Sequence, residues 1–154
     1  MKKEKLIILF DIRSTHNVGS IFRTAEAAGV SKVYLTGYTP QPKDKFGRWR
    51  KDIGKVALGA EKIVPWEHRA DTTSLIEELQ EKGFEVVAVE QHNKSIDYRS
   101  LKQKNRQAFV FGNEVSGLSE SILSLSDKII EIPMHGQKES LNVSVSVGII
   151  LFSN

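Results

Sequence analysis

The order of apolar and polar positions predicts strands and helices in alternation. Leu6 to Phe10 is an unbroken apolar run, the pattern of a strand covered on both faces. A polar turn follows. Val18, Ile21, Phe22, Ala25 and Ala28 then recur at helical spacing, which predicts a helix over 18–28 closed by Gly29. Asn17 stands at the expected helix cap, and Arg23 points away from the apolar stripe. Val33 to Thr36 predicts the next strand, and Lys62 to Val64 a short one ending at Pro65. Thr72 to Lys82 predicts a helix opened by Thr72-Thr73-Ser74, with Glu77 behind them, and stopped at Gly83. Strands over 85–89 and 108–111, a short helix over 119–125, a strand over 129–132 ended by Pro133 and a final helix over 143–152 complete the chain. This alternation predicts an α/β fold, a mostly parallel sheet flanked by helices. No repeat, low-complexity tract or linker interrupts it, so residues 1–154 are expected to form a single domain.

Composition acts mainly by exclusion. The 40% hydrophobic and 27% charged content is that of a globular domain, so disorder is not expected. No apolar run approaches the roughly 20 residues that span a bilayer. The run behind Met1-Lys2-Lys3-Glu4-Lys5 is too short for a signal-peptide core, so a cytoplasmic location is expected. The absence of cysteine excludes disulfides, thiolate metal sites and cysteine nucleophiles, including methyl transfer through a cysteine adduct on a pyrimidine. His16, His68, His92 and His135 lack the spacing of a helical metal pair, so no metal is expected. The net charge of +3 is a mild bias, but it is unevenly placed. Lys43, Lys45, Arg48, Arg50 and Lys51 fall together with Phe46 and Trp49 among them. Such a segment is either an RNA contact, with cations on phosphates and aromatics on unpaired bases, or a solvated loop whose aromatics pack on the core.

Ligands of open α/β sheets bind beyond the carboxyl ends of the strands, where three polar segments are expected here. In Asn17-Val18-Gly19-Ser20-Ile21-Phe22-Arg23, Gly19 permits close approach, and Arg23 is either solvated or a fork for a phosphate or carboxylate. In Gly112-Asn113-Glu114-Val115-Ser116-Gly117-Leu118, Glu114 follows directly on an apolar strand and must be paired, hydrated or protonated. Binding local backbone amides and binding a ligand both satisfy that need. In the third segment, Ile132 to Ser144, capping explains one of Ser140, Asn142 and Ser144 but not all three. No histidine and acid stand at hydrolase spacing from Ser140.

Together these segments resemble the SpoU, or TrmH-like, RNA methyltransferases of the SPOUT superfamily. The first resembles the family's Asn-x-Gly-x-x-x-Arg helix, here Asn17, Gly19 and Arg23, followed by Ala25 and Gly29. The second resembles Gly-Asn-Glu-x-x-Gly-Leu, here Gly112, Asn113, Glu114, Gly117 and Leu118. The third resembles Ile-Pro-Met followed by Glu-Ser-Leu-Asn-Val-Ser, here Ile132, Pro133 and Met134, then Glu139 to Ser144.

The resemblance implies an α/β domain with a deep C-terminal trefoil knot, which physics alone would disfavour. It implies bent S-adenosylmethionine (SAM) held by the knot loops, a homodimer with active sites near the subunit interface, and a ribose 2′-hydroxyl of tRNA or rRNA as acceptor. By position it implies Arg23 as the catalytic arginine, with Asn17, Glu114, Ser140 and Asn142 as supporting polar residues. Gly112, Ile132, Met134, Ser140 and Leu141 are implied to line the SAM pocket, with Ala88, Val89 and Glu90 on the adenosine side. The sequence shows no long extension at either end, so RNA recognition is expected from the core itself or from a partner. Lys43, Lys45, Arg48, Arg50 and Lys51 are then the expected RNA contacts, beside Arg23. Two rivals differ in class. A non-catalytic RNA-binding factor would not need Arg23, Glu114 and Asn142, and a nucleotide-binding oxidoreductase would need a glycine fingerprint that is missing.

Overall fold

The computed structural model describes residues 2–153. Its strands are β1 (Glu4–Phe10), β2 (Lys32–Thr36), β3 (Trp66–Arg69), β4 (Glu85–Val89), β5 (Ile96–Asp97), β6 (Arg106–Phe111) and β7 (Lys128–Glu131). They form one sheet in the order β3-β2-β1-β6-β4-β7-β5, and every neighbouring pair is parallel. The loops that leave β1, β2, β4, β6 and β7 therefore emerge along one edge. That shared direction gathers the polar segments.

The helices are α1 (Thr15–Ala27), α2 (Lys51–Ala57), α3 (Thr72–Glu81), α4 (Glu120–Leu125) and α5 (Val143–Phe152). Side chains alternate across each strand, so the central strands feed two cores. Ile7, Leu9, Val87, Phe109 and Phe111 pack with Val18, Ile21 and Phe22 of α1, Ile53 of α2 and Val147, Ile150 and Leu151 of α5. Leu6, Ile8, Val86, Ala88 and Val110 pack with Leu75, Ile76 and Leu79 of α3 and Ile122 and Leu123 of α4. Burial of each such side chain contributes roughly 1.5–3 kcal/mol, which is why the strands read as continuous apolar runs.

The α/β class and parallel sheet agree with expectation, and most elements lie within a few residues of their predicted bounds. The strand expected over 62–64 is a correction. Ala60–Lys62 is a 3-10 turn, continued by hydrogen bonds from the Ile63 and Val64 N–H groups to the Ala60 carbonyl, both 3.0 Å. The strand begins only after Pro65, whose carbonyl accepts from Val33 N–H at 2.9 Å. Helix α2 and the two-residue β5 had no clear sequence signal. α2 carries Gly54 inside it, a residue that weakens helix patterns. A Cβ at Gly54 would come 2.8 Å from Glu61 Oε2, so packing there favours the glycine.

The helix caps also differ. Ser14 caps α1, its hydroxyl accepting from Asn17 N–H at 3.0 Å, so Asn17 is not the cap. Asp71 caps α3 by accepting from Thr73 N–H at 3.1 Å. Thr72 instead turns inward to donate to Thr36 Oγ1 at 2.7 Å.

Candidate active site

Relieved of capping, the Asn17 side chain faces the sheet edge. Its Nδ2 donates to Glu114 Oε2 at 3.0 Å, and its Oδ1 accepts from Asn142 Nδ2 at 3.2 Å. Asn142 caps α5 with its own Oδ1, accepting from Ser144 N–H at 2.8 Å. Glu114 also accepts from the backbone N–H groups of Arg13 at 3.0 Å and Ser14 at 3.1 Å. One hydrogen-bonded chain, Asn142 to Asn17 to Glu114, thus joins residues from all three polar segments.

Burial pushes the Glu114 carboxyl up, but the donors from Arg13, Asn17 and Ser14 outweigh it and hold the group below its ordinary 4.5. A carboxylate lowered in the folded state stabilises the fold above its unfolded pKa. That contribution is lost as pH falls through the folded value. Glu114→Gln presents an amide N–H₂ to at least one of these donors and cannot titrate. Its Tm should lie a few degrees below the parent's near neutral pH, for a cost of about 1 kcal/mol at this half-wet site. The gap should shrink as pH drops below about 4.5, because only the parent loses the interaction. Thermal melts across that range check this, and a gap that widened with acid would refute the assignment.

Beyond the β4, β6 and β7 ends lies a cleft of about 700 Å³. Gly112, Glu114, Ile132, Met134, Ser140, Leu141 and Asn142 line it, as do Val89 and Glu90. Ala88 does not. It is fully buried in the core on the α3 and α4 side. Glu90 Oε2 accepts from Leu118 N–H at 2.7 Å and so ties the β4 end to the loop after β6. Gln91 Nε2 donates to the Glu139 carbonyl at 2.6 Å and ties the same end to the last loop. The cleft wall carries Glu90, Glu114, Glu120, Glu131 and Glu139 but, among the described residues, no lysine or arginine.

Three residues escaped the sequence reading of the site. Asn113 was visible in its motif but had no role assigned. Its Oδ1 accepts from Val115 and Ser116 N–H at 2.8 and 2.9 Å, and it lines the cleft. Gln91 and Tyr38 carry no local signal, because the partners of their side chains, Glu139 and Asn113, are distant in sequence. Arg23 is exposed on α1 and lies off the cleft wall.

The basic segment forms a small hairpin with a Lys43–Trp49 bridge. Phe46 is 70% exposed, with the Lys45 ammonium 5.2 Å and the Arg48 guanidinium 5.0 Å from its ring centre. Lys43 lies over the Trp49 ring at 4.7 Å. Arg48 and Arg50 are paired with Asp44 and Asp52, at 3.0 and 2.9 Å. Lys43, Lys45 and Lys51 form no ion pair among the described residues. Exposed Phe46 contradicts the picture of aromatics packed on the core.

Residues 4–152 match the family model of the SpoU rRNA Methylase family. The chain belongs to that family. A tRNA (guanosine(18)-2'-O)-methyltransferase of Aquifex aeolicus is 34% identical over 153 residues, 98% of this chain and 69% of that protein. A 23S rRNA (guanosine-2'-O-)-methyltransferase of Neisseria meningitidis is 35% identical over 146 residues, 95% of this chain and 56% of that protein. The crystal structure of an AdoMet-bound rRNA methyltransferase from Sinorhizobium meliloti superposes with a TM-score of 0.89 at 29% identity, covering 99% of this chain and 56% of that one. This SpoU family member thus spans between 56% and 69% of the length of these relatives. The family resemblance read from the three motifs is borne out over nearly the whole chain.

Proposed function

We propose that this chain is a single SpoU methyltransferase domain that moves a methyl group from SAM to a ribose 2′-hydroxyl of tRNA or rRNA. The observation that carries the reading is the Asn142–Asn17–Glu114 chain at the rim of the cleft. Family membership and the activities named for the relatives support it. The residues present fit SAM. The cleft has the volume of a small-ligand site. Its glutamates, without a lysine or arginine, suit a cation bearing sulfonium and ammonium groups. The same wall is poorly suited to a pyrophosphate, which weighs against the oxidoreductase reading.

Gly112, Ile132, Met134, Ser140 and Leu141 would hold the cofactor, with Val89 and Glu90 beside its adenosine. Bound SAM supplies an activated methyl group. The chain's own residues position the acceptor. Arg23 fixes the target nucleotide through its phosphate and stabilises the charge that develops on the 2′ oxygen as it takes the methyl group and its proton passes to water. Arginine is a poor base at its ordinary pKa, so positioning and charge are its main roles. Asn17, Glu114 and Asn142 keep the surrounding loops in register, and Ser140 stands on the cleft wall as a further polar group.

Two further family features belong to this reading. The loops after β4, β6 and β7 together form the trefoil knot, in line with the ties from Glu90 and Gln91. The protein works as a homodimer in the cytoplasm, and the exposed Val145 and Phe152 of α5 are suitable apolar contacts. Arg23 lies off the cleft of its own subunit, which suits an active site completed near the subunit interface.

Incubation with radiolabelled SAM and separate pools of unmodified tRNA and rRNA tests the reading. Label entering one pool as 2′-O-methyl nucleotide is expected, and failure to bind SAM would favour the non-catalytic factor. In the hairpin, Lys43→Ala, Lys45→Ala and Lys51→Ala should each weaken RNA binding and reduce the slope of log K against log salt by about 0.7–0.9. Arg48→Ala and Arg50→Ala should do less, since their charges are already paired. Filter binding over a salt series measures both, and an unchanged slope in the three lysine variants would remove the hairpin from the RNA surface.

A further inference from the structure

The turn after β2 is built at some cost. Gly37 has φ 62°, and a Cβ there would lie 1.8 Å from Asp11 Oδ1. Asp11 itself adopts φ 51°, a left-handed conformation unusual for a residue other than glycine. Asp11 and Asn113 hold Tyr38. Its N–H donates to Asp11 Oδ1 at 3.0 Å, and its hydroxyl oxygen accepts from Asn113 Nδ2 at 2.7 Å. Asn113 Nδ2 also donates to the Asp11 carbonyl at 2.7 Å. Yet the residue remains 59% exposed. A tyrosine held at its backbone by Asp11 and at its ring by Asn113 has given up side-chain entropy without the burial that normally offsets it. Strained backbone held by its surroundings is a mark of function.

The position gives that function a direction. Asn113 lines the cleft and precedes Glu114, so the Tyr38 ring stands one side chain away from the cleft wall. We propose that Tyr38 is the surface on which the base of the acceptor nucleotide stacks. This rests on the methyltransferase reading above and narrows its substrate class: the acceptor is an unpaired nucleotide with its base free of helical stacking. An aromatic face takes any base, and fixing it in advance removes the ordering cost at binding. The free O–H hydrogen of Tyr38 is left to donate to the RNA.

The test uses the full chain, the tRNA or rRNA that accepts label, and two synthetic RNAs with the acceptor either in a hairpin loop or sealed in a duplex. Tyr38→Ala should lower kcat/KM for RNA by about tenfold to a hundredfold, mostly through KM. It should weaken hairpin binding in a filter assay by a similar factor. Tyr38→Phe keeps the ring and should retain most of both. SAM Kd and molecular mass in solution should be those of the parent in each variant, and the parent should prefer the hairpin. Tyr38→Ala binding and methylating like the parent would overturn the proposal. So would Tyr38→Phe losing as much as Tyr38→Ala, which would assign the effect to the Asn113 bond, or equal transfer to hairpin and duplex. Altered SAM Kd or mass in Tyr38→Ala would assign the ring to the cleft or a subunit contact and also overturn it. A parent that binds RNA but neither binds SAM nor methylates refutes the enzymatic reading, while the binding arm still decides on Tyr38.

Discussion

Arg23→Ala is expected to lower kcat by about 10²–10³ while leaving SAM affinity unchanged, the scale seen when one preorganised donor to a developing oxyanion is removed. The separation of the two effects follows from position. Arg23 is exposed on α1 and absent from the cleft wall, whereas the residues proposed to hold SAM all line it. Single-turnover transfer of labelled methyl at saturating RNA measures the first quantity, and isothermal titration with SAM the second. Lysine should restore little, because a point charge cannot reproduce the planar two-pronged grip on a phosphate. Transfer at the parental rate by Arg23→Ala would remove the arginine from the mechanism. Loss of SAM binding would move it to the cofactor site.

The second large effect is expected at Gly112. A Cβ there would fall 2.6 Å from the Gly117 carbonyl carbon, 2.8 Å from its oxygen and 2.8 Å from Leu118 N. All three are backbone atoms, so no side chain can rotate away. The loop would have to open, and Leu118 N–H is held by Glu90. Gly112→Ala should therefore weaken SAM binding by about a hundredfold or more, since a displacement near 1 Å at a positioned site has that scale. Tm should fall by several degrees, for an overpacking cost of about 1–3 kcal/mol. A melt without ligand separates the two losses. Parental SAM affinity in a folded Gly112→Ala protein would mean that the 112–118 loop does not hold the cofactor.

What could be read in advance divides along the range of the interactions. The buried strands and the apolar stripe of α1 announce themselves within a few residues, because side-chain period and burial are local. The motif residues were found in sequence, but their geometry was not. Ser14 and Asn17 are both good capping residues, and only the Glu114 carboxylate, far along the chain, decides which one caps. Helix α2 was hidden by Gly54, which packs close to the carboxylate of Glu61, seven residues on. Tyr38 had no signal at all, since both of its anchors, Asp11 and Asn113, come from other strands' loops.

The Asn142–Asn17 bond closes a span of 125 residues, and the Glu114–Arg13 bond one of 101. Contacts this far apart are slow to form, because chain entropy must be lost before they are rewarded. They also impose an order on biosynthesis. Until residues 114 and 142 have both left the ribosome, the Asn17 side chain lacks its two partners and the last wall of the cleft is missing. The cleft is thus complete only once residues 139–143 have been made and can fold against β1 and α1.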